Sequence, residues 1–265
     1  MLIRALAVAL SFVFLLGAGA AFACQGAEAC ALGDRSYHIK LPDDWDGKTA
    51  LPVLLHFHGW GRQGDLIVNH RRISGHTRRR GVLLIAPNGR GRTWDFWNEG
   101  SRDVGFAAAV VEDVARRYPI DRDRIYVSGY SYGAAMAWRY VCQNGDGVAA
   151  LLAISGTIPQ DETCPQAPGE VRQVYGFDDT VMPFPMGPGG DESYPVALWR
   201  GLYGCGDQTG GGLWKAVDWL TLDRRVWECD RGKVTLDLHS GGHFIPHGWI
   251  GWQLDQLMGR VPRYP

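Results

Sequence analysis

The sequence predicts an α/β fold, a mostly parallel, doubly wound sheet in a single domain. Three observations carry that expectation. The apolar runs at residues 53–57, 82–86, 125–128, 149–154 and 171–175 are nearly continuous in hydrophobicity, as strands covered on both faces are. Helical periodicity lies between them. Finally, Gly129-Tyr130-Ser131-Tyr132-Gly133 joins a strand-like run to a helix-like run. Alternating strands and helices are what a doubly wound sheet requires.

From the start of the chain, Met1-Leu2-Ile3-Arg4 precedes an apolar stretch over residues 5–22, and Ala21-Phe22-Ala23 forms an A-x-A site. One positive charge, a short apolar core and small residues at a cut site predict a secretory signal peptide over 1–23. The competing reading, a membrane anchor, is disfavoured because the run is marginal for a span and no basic stop-transfer cluster follows it. The domain is then expected over 24–265. Cys24 directly follows the expected cut, so a lipid anchor there is the minor alternative. Phe22 is bulky for a lipoprotein signal.

Strands are expected at 53–57 and 82–86. A helix is expected over 104–118, with Phe106, Val110, Val111 and Val114 on one side and Pro119 as its stop. The strand at 125–128 leads into a helix at 131–142. Strands at 149–154 and 171–175 follow, then 225–228 and 234–238, and a closing helix at 249–258. Residues 186–190, rich in Gly and Pro, read as a rim loop. Thr209-Gly210-Gly211-Gly212 reads as a flexible loop.

The chain has 265 residues and a net charge of −1, which gives no basis for nucleic-acid binding. The one basic cluster, Arg71, Arg72, Arg78, Arg79 and Arg80, reads as a solvated helix face rather than a polyanion site. Six cysteines on an exported chain predict disulfides. Sequence order favours the local pairs Cys24–Cys30, Cys142–Cys164 and Cys205–Cys229. A metal site is the rival reading, but no ligand spacing supports it.

G-x-S-x-G between strand and helix is the pattern of a nucleophile elbow. The glycines two before and two after the serine let backbone pass closely, and the helix N-terminus favours negative charge near Ser131. A serine needs a base, and the base needs an acid. Downstream lie His239, His243 and His247. His243 follows Ser240-Gly241-Gly242 at the end of an expected strand, where a base should stand. His239 reads as structural and His247 as a cleft or surface residue. The acid is sought after the strand ending at Tyr175, where Asp178 and Asp179 are adjacent; Asp161 and Asp191 are less well placed. Oxyanion donors are expected from the N–H of Tyr132, just after the serine, and the N–H of Trp60 in His58-Gly59-Trp60-Gly61. His58 itself reads as a support of that loop. Trp94, Trp97 and Trp249 lie where they could reach a cleft, and Tyr130 flanks the serine.

These segments resemble the α/β-hydrolases of the polyhydroxybutyrate depolymerase and feruloyl esterase type. Leu55-His56-Phe57-His58-Gly59-Trp60-Gly61 is similar to the strand-HG oxyanion loop. Trp97-Asn98 with Asp103-Val104-Gly105-Phe106 resembles W-N…D-V-G-F. Residues 118–127 resemble Y-x-I-D-x-x-R-I-Y-V. Residues 175–183 resemble the acid loop H-G-x-x-D-x-x-V-P, whose register falls on Asp179, and Gly241-Gly242-His243 matches G-G-H. The resemblance spans nearly all of 24–265. It implies an α/β-hydrolase fold without a large lid and an exported serine esterase that works through Ser131, His243 and Asp179 without cofactor or metal. The implied substrate is a small or polymeric ester: a hydroxyalkanoate polyester, or a feruloyl or acetyl ester on plant polysaccharide. A serine peptidase of this fold and a non-catalytic binding protein are the rivals. The departures are Tyr175 in place of histidine, Tyr130 and Tyr132 around the serine, and Phe244-Ile245-Pro246-His247 after the base. They set the acyl pocket apart, with Trp97, Tyr130 and Trp249 as candidate substrate contacts.

Overall fold

The computed structural model describes residues 24–159, 162–183 and 194–264. The expected signal segment 1–23, the rim loop 186–190, Asp161 and Asp191 lie outside the described residues. The strands are β1 (Cys30–Leu32), β2 (Arg35–Lys40), β3 (Leu51–Phe57), β4 (Leu83–Pro87), β5 (Ile120–Tyr130), β6 (Ala150–Ile154), β7 (Glu170–Gly176), β8 (Gly210–Val217), β9 (Leu220–Cys229) and β10 (Gly232–His239). They form one sheet in the order β1-β2-β4-β3-β5-β6-β7-β10-β9-β8. The six central strands run parallel. Antiparallel pairs close each end.

The helices are α1 (Gly64–Val68), α2 (Ser74–Arg78), α3 (Arg102–Arg117), α4 (Tyr132–Asn144), α5 (Tyr194–Tyr203) and α6 (Trp249–Leu257). Apolar residues of α3, α4 and α5 fill one face of the sheet. Those of α1 and α6 fill the other, so the sheet is doubly wound as expected. α3 starts where the Ser101 hydroxyl accepts the Asp103 N–H, and Arg116 and Arg117 occupy its last turn, matching the polarity of the helix dipole. Val104, Ala107, Val110, Val111 and Val114 form its buried stripe. Phe106 lies off that stripe, half-buried under the Arg35 guanidinium 3.6 Å from its ring centre.

The three disulfides are those expected from sequence order: Cys24–Cys30, Cys142–Cys164 and Cys205–Cys229. The first takes the Cys24 thiol, which removes the attachment atom of a lipid anchor. No helix among the described residues is long and apolar enough to cross a membrane.

Two expectations are corrected. Gly210-Gly211-Gly212 is no loop: it opens β8 and pairs with residues 224–226 of β9. The basic cluster is not one solvated face, because Arg80 is buried and ion-paired to Asp255 at 2.9 Å, and Arg72 donates to the Ile245 carbonyl at 2.7 Å. Both arginines tie the α2 region to the C-terminal segment.

Candidate active site

Ser131 sits at the turn from β5 into α4 with φ 59° and ψ −125°, a region that side-chain-bearing residues seldom occupy. The turn closes only with small neighbours. A Cβ at Gly129 would fall 2.0 Å from the Gly133 carbonyl oxygen, and one at Gly133 would fall 2.0 Å from that of Phe57. The Ser131 N–H donates to the Ile154 carbonyl at 3.0 Å, which fastens the elbow to β6. As the cap of α4, Ser131 is followed at Tyr132 by an N–H that needs no partner within the helix.

The acid and base loops leave the adjacent parallel strands β7 and β10. The Phe177 N–H donates to the His239 carbonyl at 2.9 Å and the Asp178 N–H to that of Gly241 at 3.3 Å. This close approach requires Gly176, where a Cβ would lie 2.1 Å from the Gly241 carbonyl oxygen. Asp179 is buried. Its Oδ2 accepts from His243 Nδ1 at 2.6 Å, and its Oδ1 accepts the N–H groups of Val181 at 3.0 Å and Met182 at 2.8 Å. Both oxygens of the carboxylate are therefore held, one by the ring and one by main-chain N–H groups. With Nδ1 donating to Asp179, His243 keeps Nε2 as its free acceptor. Asp178 is exposed, so of the two adjacent aspartates it is Asp179 that meets the histidine.

The Ser131 hydroxyl donates to Met182 Sδ at 3.6 Å. The carbonyl of the same Met182 accepts from Tyr175 Oη at 3.0 Å. Tyr175, where the resemblance expects a histidine, thus anchors the acid loop. Tyr130 donates its hydroxyl to the His243 carbonyl at 2.9 Å and lays its ring 4.7 Å from the imidazole. Burial first, and the Asp179 charge second, push its phenol up to about 12, so it stays a neutral donor.

The loop after β3 meets the elbow through Gly59, where a Cβ would stand 3.4 Å from the Tyr130 carbonyl oxygen and 3.7 Å from Ser131 Cβ. His58 fixes the loop: Nδ1 donates to the Gly59 carbonyl at 2.9 Å and Nε2 accepts the Gly89 N–H at 3.0 Å. Burial holds its pKa down at about 4, so it is a neutral brace, as expected. His239 is likewise a buried brace, accepting the Gly241 N–H at Nδ1 from 3.1 Å. His247 packs edge-on against Trp219, with ring centres 4.9 Å apart.

The tryptophans divide. Trp60 and Trp97 are 70% and 62% exposed, available at the surface. Trp97 packs on Phe96, which in turn meets Tyr132. Trp249 is fully buried and donates Nε1 to Asp237 Oδ2 at 2.7 Å, so it is a core residue and not a substrate contact. Trp94 is also buried, its Nε1 bonded to the His58 carbonyl at 2.8 Å. Sequence reasoning missed Met182, whose place beside the serine no local pattern marks.

A strained serine at a strand-to-helix turn, and a histidine held by a buried aspartate in loops that leave adjacent parallel strands, fit the α/β-hydrolase fold. Residues 106–195 match the family described as Phospholipase/Carboxylesterase. A probable feruloyl esterase C of Aspergillus clavatus is 28% identical over 60% of this chain, and the match spans 59% of that protein's length. A probable feruloyl esterase C of Aspergillus niger is 26% identical over 80% of this chain and 77% of its own. An acetyl xylan esterase from Aspergillus awamori superposes with a TM-score of 0.66 at 14% identity, covering 84% of this chain and 94% of its own. The chain thus has the α/β-hydrolase fold and is similar in sequence to these feruloyl esterases.

Proposed function

We propose that the chain is an exported serine esterase. The observation that carries this reading is the 2.6 Å contact of His243 Nδ1 with Asp179 Oδ2, in loops that adjoin the strained Ser131. In the reaction, the Ser131 hydroxyl turns from Met182 toward His243. Oγ attacks the ester carbonyl while His243 Nε2 takes its proton. Asp179 holds the imidazole in its reactive tautomer and stabilises the charge it gains. The N–H groups of Tyr132 and Trp60 receive the oxyanion. His243 then protonates the departing alcohol, and water repeats the cycle on the acyl-enzyme.

Between the two expected substrate classes, the names of the relatives favour a feruloyl or acetyl ester on plant polysaccharide over a hydroxyalkanoate polyester. The three disulfides support an oxidising, extracytoplasmic location and processing at the 1–23 segment. The domain then comprises residues 24–265. A panel of p-nitrophenyl acetate, methyl ferulate, acetylated xylan and hydroxybutyrate oligomers tests the reading. Turnover of methyl ferulate or acetylated xylan is expected, and activity on peptides alone would overturn it.

A further inference from the structure

Met182 joins two roles in one residue. Its main chain serves the acid: the N–H donates to Asp179 Oδ1 at 2.8 Å, and the carbonyl accepts from Tyr175 Oη at 3.0 Å. Its side chain serves the nucleophile: Sδ accepts the Ser131 hydroxyl at 3.6 Å. The acid-loop pattern H-G-x-x-D-x-x-V-P has a short, branched valine where this chain has Met182. A thioether is longer, unbranched and adaptable, and its sulfur is a weak acceptor.

From this geometry we propose that Met182 is the specificity-determining wall of the acyl site. The side chain fills the space beside Ser131 Oγ in the resting protein, and the acyl group of the substrate must displace it. The weakness of an O–H···S bond makes that exchange cheap when the imidazole, a stronger acceptor, competes for the same hydroxyl. A small acyl group slips past the thioether, whereas a long one is admitted only as far as the thioether can swing. Because Asp179 is held by the main chain of Met182, the side chain can be shortened without unseating the acid. The inference rests on the esterase reading and names the residue that sets its acyl preference.

The test compares Met182→Ala and Met182→Leu with the unaltered chain on p-nitrophenyl acetate, butyrate and octanoate. The ratio of kcat/KM for octanoate over acetate should rise tenfold or more in Met182→Ala. It should stay within about threefold of the unaltered value in Met182→Leu, which refills the space. A purely structural residue would lower all three esters together and leave the ratio unmoved, and a ratio within twofold of the original in Met182→Ala overturns the proposal. Melting curves for both variants separate loss of fold from change of preference. The two readings fail differently: an unaltered chain that turns over none of the three esters removes the esterase reading, whereas normal turnover with an unmoved ratio removes only the role of Met182.

Discussion

His243 Nδ1 stands 2.6 Å from Asp179 Oδ2, while the other oxygen of Asp179 is held by the N–H groups of Val181 and Met182. The carboxylate is fixed at both ends, so it fixes the imidazole. Replacing Asp179 by Asn keeps the shape but offers the ring an N–H where it needs an acceptor. Turnover of p-nitrophenyl acetate should fall by roughly 10³-fold or more, with KM changing far less. Steady-state kinetics check this, and a fall under tenfold would remove Asp179 from the mechanism.

Gly133 is fixed by the Phe57 carbonyl oxygen, which a Cβ would meet at 2.0 Å. Neither that backbone nor the elbow can yield without displacing β3. Gly133→Ala should destabilise the fold by about 3 kcal/mol or more, read as a clear fall in melting temperature. An unshifted melting curve would contradict the tight elbow.

Acid should weaken the fold through its buried histidines. Burial depresses His58 and His239 from an ordinary 6.5 to about 4. Each is neutral when folded but takes a proton in the unfolded chain below about pH 6.5. Their contribution is therefore complete above that pH and is lost as pH falls toward 4. At about 1.4 kcal/mol per unit of depression, each residue removes on the order of 3 kcal/mol. Thermal melts between pH 7 and 4.5 should fall steadily, and a flat profile would mean that these rings are not held neutral.

The Cys205–Cys229 bridge closes a loop with a sequence separation of 24 and ties the segment between α5 and β8 to the end of β9. Replacing both cysteines with serine should cost about 3 kcal/mol of stability. Esterase turnover should stay within twofold, because β8 is the sheet edge furthest in strand order from β3 and β5. Paired melting and activity measurements test this, and a lost activity without lost stability would contradict it.

The central strands and the serine turn were legible because their physics is local, whereas the choice of Asp179 over Asp178 came from the resemblance of residues 175–183 to the acid-loop pattern. Continuous apolar runs marked β3 to β7, and the close backbone approaches forced Gly129, Gly133 and Gly176 into recognisable patterns. The N-terminal hairpin was missed because β1 has only three residues and β2 six, with Tyr37 and Ile39 as the only apolar residues of β2. β8 was missed because three glycines carry no strand signal, and its pairing is imposed by β9. The misreadings of Trp249 and Arg80 share a cause. Their partners, Asp237 and Asp255, become visible only once the sheet and α6 have come together. Met182 was missed for the same reason, since its neighbour Ser131 lies 51 residues away.

The most direct test is the site of covalent attack. After reaction with a fluorophosphonate, peptide mass spectrometry should find one adduct, on Ser131, and Ser131→Ala should show neither adduct nor hydrolysis of p-nitrophenyl acetate while melting as the unaltered chain does. An adduct on another residue, or undiminished turnover in Ser131→Ala, would contradict the assignment of Ser131 as the nucleophile.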